Sequence, residues 1–362
     1  MNKTNTILAV ALIVQIGAIL AFASPFGGRE VESVERTKLF DGVDAASVLG
    51  IRITDDEGNT AELAKEAGAW VLASADGYPV DEARVTAMID NVVGVQGGRP
   101  VTRKAKNHKK LEVAEGKFSR KVELTADGGK ALGTFYLGSS PNYNQNNVRA
   151  GGSDVVYLAT GLSAFDFAAE GTRWVDTQWL ELEPDDITSV RITRGDESIA
   201  VSQGEDGAWQ MTAPEAMSLP KDRVDAVLRS FRSTYLDAPV GKDDGSYGFD
   251  NPTATVEIVV TTVPDAPEPA EGEEAAPAPD PVVETYTIEI GGKTDDDAGY
   301  YVKRSGFDFV ATLTASSVEQ KFLKSAADFQ PAPEEEAGAG DGAPADGGGF
   351  NFDLGGGEGG GQ

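Results

Sequence analysis

The chain has 362 residues and a formal net charge of −28, from 59 Asp and Glu against 31 Lys and Arg. It has no cysteine and one histidine, His108. This excludes disulfides, thiolate catalysis, iron–sulfur clusters and cysteine zinc sites, and leaves a Ser-His-Asp triad or a histidine-rich metal site barely available. A chain of this length and acidity is sized for two domains and repels nucleic acid except at local basic patches, so neither a nucleic-acid partner nor a cofactor is expected.

Within the leading segment 1–28, residues 7–23 form an apolar run broken only by Gln15 and Gly17, with Lys3 before it and Pro25 and Gly27-Gly28 after it. A membrane span needs about 17–25 such residues. The segment therefore reads as a single-pass transmembrane helix, with the positive end in the cytoplasm and the bulk of the chain on the periplasmic side of a bacterial inner membrane. The other reading is a cleaved signal peptide, with Ala21-Phe22-Ala23 as the small-x-small site. Both readings export residues 30–362. Residues 29–47 read as a linker.

A first unit follows at 48–183. Alternating runs at 48–54, 60–65 and 70–73, separated by the turn Asp55-Asp56-Glu57-Gly58-Asn59, predict an antiparallel meander. Asp81 caps a helix in which Val85, Met88, Ile89, Val92 and Val93 form one apolar stripe. Further strands are predicted at 121–125, 131–137, 147–150 and 155–159, then a short helical piece at 162–167.

The second unit, 184–330, repeats the first. Ile51-Arg52-Ile53-Thr54, Trp70, Arg84-Val85 and Pro100-Val101 return as Val190-Arg191-Ile192-Thr193, Trp209, Arg223-Val224 and Pro239-Val240, all at the one spacing that separates Trp70 from Trp209. The helix stripe returns as Val224, Val227, Leu228 and Phe231. After the helix the register drifts. Val122-Glu123-Leu124 answers Val256-Glu257-Ile258, and Leu137-Gly138 answers Ile290-Gly291 at a wider spacing. The remaining strands are expected at 255–261, 283–290, 300–303 and 309–313, and a closing helix at 316–323. Residues 264–281 carry six acids and no base among Pro and Ala, and read as a disordered excursion between two strands; the tail 331–362, rich in Gly and Glu, reads as disordered. Much of the negative charge thus lies outside the folded units. Phe350, Phe352 and Leu354 in the tail are candidates for a short linear motif.

The fold class expected is α+β: two tandem repeats, each a mostly antiparallel sheet with one packed helix, after an N-terminal transmembrane helix. The anchor, the opening strand, the Trp after the first hairpin, the helix and the segment Tyr247-Gly248-Phe249-Asp250-Asn251-Pro252 resemble the domain of unknown function 4340 family, in two copies over roughly 48–325. The first copy departs at the Tyr-Gly segment, where His108-Lys109-Lys110-Leu111 stands. The resemblance implies a bacterial membrane-anchored protein that is accessory to an ABC-type transport system of the gliding-motility kind. It implies no reaction.

The main charge feature is a basic cluster in an acidic chain: Arg99, Arg103, Lys104, Lys106, Lys109, Lys110, Lys117, Arg120 and Lys121. The second copy places Lys242-Asp243-Asp244-Gly245 there, so the fold does not require the positive residues. The cluster is a candidate patch for an anion or a partner, such as lipid headgroups or an acidic protein face; the plain alternative is a solvated loop. His108, among these lysines, reads as an exposed loop residue. Arg194-Gly195-Asp196 aligns with the first hairpin turn and reads as a turn. Asp295-Asp296-Asp297 and Asp243-Asp244 lack the spaced ligands of a calcium loop and read as acidic turns. Gly138-Ser139-Ser140 and Gly291-Gly292 lack the following helix that a phosphate loop needs. Trp70 and Trp209 read as core, and Trp174, Trp179, Phe165 and Phe167 as aromatic glue between the copies.

Two functions are compatible with these residues. One is a non-enzymatic, membrane-anchored accessory or scaffold protein, with a protein partner in an envelope or transporter complex. The alternative is an extracytoplasmic hydrolase using carboxylates.

Overall fold

A computed structural model describes residues 37–264 and 279–331, together with Leu12, Val14 and Gln15. The expected anchor, excursion and tail lie almost wholly outside these residues. Among the described residues no helix is long and apolar enough to cross a membrane.

Each repeat is built on a nine-stranded sheet. In the first, all pairings are antiparallel. Its strands β1 (Gly50–Asp55), β2 (Thr60–Glu66), β3 (Ala69–Leu72) and β4 (Tyr78–Pro79) run from the centre to one edge. Helix α1 (Glu82–Val93) carries the chain to the far edge, β5 (Pro100–Thr102). A loop then returns to the centre, where β6 (Arg120–Thr125), β7 (Ala131–Leu137), β8 (Gln145–Ala150) and β9 (Val156–Thr160) run outward to meet β5. The order is β4-β3-β2-β1-β6-β7-β8-β9-β5.

The second sheet repeats it strand for strand, again all antiparallel. Its members are β10 (Ile187–Arg194), β11 (Glu197–Gln203), β12 (Trp209–Ala213), β13 (Met217–Ser218), then after helix α2 (Lys221–Ser230) β14 (Ala238–Lys242), β15 (Ala254–Thr262), β16 (Val282–Lys293), β17 (Gly299–Arg304) and β18 (Phe307–Thr314). The order is β13-β12-β11-β10-β15-β16-β17-β18-β14.

Alternation explains the sheets. Ile51 and Ile53 point into the core while Arg52 faces out beside Glu62, 2.8 Å away. The helix stripes are buried in both repeats: Val85, Met88, Ile89 and Val92 in one, Val224, Val227, Leu228 and Phe231 in the other. Asp81 caps α1 through the N–H groups of Ala83 and Arg84 at 3.0 and 3.2 Å. Trp70 and Trp209 are core residues. The drifting register is also real. Val122 lies opposite Ile53 and Val256 opposite Ile192; Arg120 lies opposite Leu137 and Ala254 opposite Ile290. One strand further on the spacing widens by one more position, since Val148 pairs with Tyr157 and Val302 with Ala311.

Three expectations need correction. Residues 37–47 are not a bare linker: Thr37–Lys38 pairs with Gln96–Gly97, and Phe40 is buried against Phe135 at 6.2 Å. The same ribbon opens the second repeat, where Gln178–Glu181 pairs with Ser233–Tyr235 and Trp179 takes the position of Phe40. The second repeat thus begins at Gln178 rather than at 184. The helical piece at 162–167 is only a 3-10 turn, Ala164–Phe167, whereas its counterpart is α3 (Ala315–Lys321) followed by α4 (Ala326–Phe329).

Third, most of the expected aromatic glue belongs inside single repeats. Phe167 packs on Phe135 at 5.7 Å, Trp179 on Phe322 at 6.5 Å, and Phe165 is 81% exposed. The turn ending at Trp174 does reach the joint, lying against β14. The joint itself is Tyr78 of β4 held by Phe307 and Phe309, with ring centroids at 5.5 and 5.2 Å. Asp76 accepts from the Lys242 N–H at 3.3 Å, and Thr172 donates to the Asp237 carbonyl at 3.1 Å. One apolar core runs through both repeats.

Candidate functional site

The basic loop of the first repeat is folded by its own contacts. The Thr102 hydroxyl accepts from the Lys104 N–H at 3.2 Å and the Asn107 amide at 2.8 Å, and this starts the turn Ala105–Asn107. Leu111, Val113 and Phe118 then pack with Tyr136 and Val156 as a small separate core. Gly138 lets the loop lie flat on the sheet, because a Cβ there would stand 2.2 Å from the Leu111 carbonyl oxygen. The second repeat uses the same device: a Cβ at Gly291 would stand 2.2 Å from the Tyr247 carbonyl oxygen. The two dissimilar segments therefore occupy one structural position.

The loop exposes Arg99, Arg103, Lys104, Lys106, Lys109 and Lys110. None of the six forms an ion pair among the described residues. Lys117 pairs with Glu112 at 3.6 Å. Arg120 and Lys121 do not join the loop. Arg120 donates to the Phe167 and Ser119 carbonyls at 2.9 and 2.6 Å and lies 3.6 Å from Asp56; Lys121 pairs with Glu123 at 2.9 Å.

His108 is not exposed, as its charged neighbours suggest, but 8% exposed. Its Nε2 lies 3.0 Å from the Asp154 carbonyl, so the ring braces the loop against the β8–β9 turn.

The residue that composition does not reveal is Arg149 on β8, 3% exposed. Its Nε donates to the Val113 carbonyl at 2.6 Å, and its Nη1 to the Ser153 and Ala150 carbonyls at 3.1 and 3.4 Å. The guanidinium lies 4.3 Å from the centre of the Tyr136 ring. Every acceptor is neutral. Arg149 lines a cavity of about 560 Å³ that also presents Lys106, His108, Lys109, Glu115 and Asp154. An arginine beside Val148 in a run expected to be a strand is the one sequence signal that marks it.

The second repeat treats the same position differently. Lys303, the counterpart of Arg149, sits 4.5 Å from the Phe249 ring centre and 3.3 Å from both Asp243 and Glu289. Burial pushes the Lys303 ammonium down, but the two carboxylates outweigh it and hold the pKa above the ordinary lysine value. Asp243 stands at the position of Lys104, and Glu289 at the position of Tyr136. Each repeat thus has a cation at this position, and only one repeat neutralises it.

The remaining motifs are structural. Arg194-Gly195-Asp196 is the β10–β11 turn, with Gly195 at φ +54°. Asp296 in the β16–β17 turn accepts from the Thr294 hydroxyl at 2.7 Å and the Ala298 N–H at 3.1 Å. Among the described residues no group of three or more His, Asp or Glu is placed to hold a metal ion.

No curated protein and no solved structure matches the chain. The model of the domain of unknown function DUF4340 matches at residues 70–252 and again at 209–331. The two matches begin at Trp70 and Trp209, the equivalent tryptophans of β3 and β12. The chain therefore belongs to the DUF4340 family and carries that domain twice.

Proposed function

We propose that the protein is a non-enzymatic accessory or scaffold of the bacterial envelope. In this reading it is held in the inner membrane by residues 7–23, with both repeats in the periplasm, and serves an ABC-type transport or surface-assembly complex. The observation that carries the reading is the basic loop: six exposed cations without ion-pair partners among the described residues, on one repeat only, in a chain of net charge −28. A two-sheet body with one differentiated loop suits a surface that docks on an acidic partner.

The carboxylates give the hydrolase alternative no support. Asp243 and Glu289 converge, but both are held by Lys303. Burial pushes Asp55 and Asp328 up, yet hydrogen bonds from their own turns bring both below the ordinary value. Hydrogen bonds from Ser246 and Thr294 hold Asp244 and Asp296 low. A glycosidase-type general acid needs a raised carboxyl.

Affinity purification of the full chain from detergent-solubilised membranes, read by mass spectrometry, tests the proposal. A permease and an ATPase should co-purify, and a variant with Lys104, Lys106, Lys109 and Lys110 reversed to Glu should lose them. Retention of the same partners by that variant, or cytosolic fractionation of the full chain, overturns it.

A further inference from the structure

We infer that the Arg149 cavity is a binding site for a phosphoryl-type oxyanion. A guanidinium is costly to bury without a counter-charge, and its planar donor face is shaped for oxyanions. Arg149 is almost wholly buried, its Nε and Nη1 are directed by carbonyls, and its Nη2 makes no hydrogen bond among the described residues. Lys106 and Lys109 line the same cavity, and their ammonium groups form no ion pair among the described residues.

The second repeat provides the internal control. Its equivalent cavity is lined by Lys303 and Arg304 against Asp243, Glu289 and Asp308, a net charge of −1. The first is lined by Arg149, Lys106 and Lys109 against Glu115 and Asp154, a net charge of +1 with His108 left out of the count. Neither Glu115 nor Asp154 forms an ion pair with Arg149. The same backbone therefore carries one cavity whose central cation is ion-paired by its own carboxylates and one whose central cation is not. The volume, about 560 Å³, exceeds that of a bare phosphate, so a phosphate ester fits as well as the free ion.

The site shares Lys106 and Lys109 with the docking loop proposed above but does not require a partner to bind there. Its test uses the full chain in a neutral detergent, titrated calorimetrically with inorganic phosphate, with soluble dihexanoyl phosphatidylglycerol, and with dihexanoyl phosphatidylcholine as a zwitterionic control. Saturable heat with inorganic phosphate assigns a free-phosphate site. Saturable heat with the phosphatidylglycerol alone assigns a headgroup site. The decisive variant is Tyr136→Glu, which writes the carboxylate of the second repeat into the first. It takes a buried ring out of the small core with Val113 and Phe118, so it should melt below the wild type, and in the folded variant binding should weaken about tenfold or more, the loss expected when a charged hydrogen bond is filled internally. Arg149→Met should weaken it similarly, and Arg149→Lys should restore part. Absence of saturable heat with both anionic probes, equal heat with the zwitterionic control, or wild-type affinity in folded Tyr136→Glu overturns the inference.

Discussion

Gly138 and Gly291 show how one missing methyl fixes the position of a whole loop. Each makes room for a carbonyl oxygen that would stand 2.2 Å from a Cβ, a clash no relaxation of a side chain relieves. Gly138→Ala should therefore cost about 1–3 kcal/mol, as overpacking does, and should also shift the basic loop. Urea unfolding checks the first effect, and amide exchange at 104–111 the second. Asp55 acts at the same scale. It is 5% exposed and accepts from Asn59 N–H and Nδ2, both at 2.8 Å, and from Glu57 N–H at 3.0 Å. Burial pushes its carboxyl up, but these bonds prevail and hold it below the ordinary value. Because the folded pKa is depressed, its stabilisation is fully present above the unfolded value of about 3.9 and is lost as pH falls through the folded one. Asp55→Ala should cost about 1–3 kcal/mol at neutral pH, and the gap to wild type should shrink below about pH 4; a gap that stays constant with pH would contradict this.

At the scale of elements, the helices are held by burial more than by propensity. Val85 and Val224 are completely buried at equivalent positions. Truncating either to Ala removes two methyl-sized groups and leaves a cavity, so each should cost about 2–3 kcal/mol, measured by chemical denaturation. Equal costs at the two sites are expected because each side chain meets the same sheet face. These helices are legible in the chain because a stripe recurring twice at one spacing leaves little freedom. The shifted strands are legible because Val122-Glu123-Leu124 keeps its alternation in Val256-Glu257-Ile258. The strands of two residues, Tyr78–Pro79 and Met217–Ser218, and the ribbons at Thr37–Lys38 and Gln178–Glu181, are not, since so few residues carry no period. The loop cations are visible as composition. Arg149 is not, because its significance lies in having Tyr136 rather than an acid on the next strand. His108 misleads for a similar reason: its partner, the Asp154 carbonyl, lies far along the chain.

At the scale of the molecule, the two repeats share one core and are latched by Tyr78 between Phe307 and Phe309. Burial pushes the Tyr78 hydroxyl up to about 12, so the ring stays neutral throughout the physiological range. Wild type should melt as a single calorimetric transition. Tyr78→Ala should remove about 3–5 kcal/mol of coupling and split or broaden that transition, with the second repeat least affected in its own core. A uniform downward shift of one sharp transition would instead place Tyr78 within a single cooperative unit.

The latch is directional. The β4 edge of one repeat meets the β14 edge of the next, a head-to-tail contact that does not close on itself and would in principle accept further copies at either end, as an open filament does. The opposite edges do not carry matching parts. Met217 stands at the position of Tyr78, and Ser153 and Val155 stand at the positions of Phe307 and Phe309. Plug and socket of the latch are thus both replaced at the opposite edges. The corresponding surface on the first repeat borders the cavity of Arg149, with Ser153 in its wall; what one repeat uses to hold its neighbour lies, in the other, beside the candidate anion site.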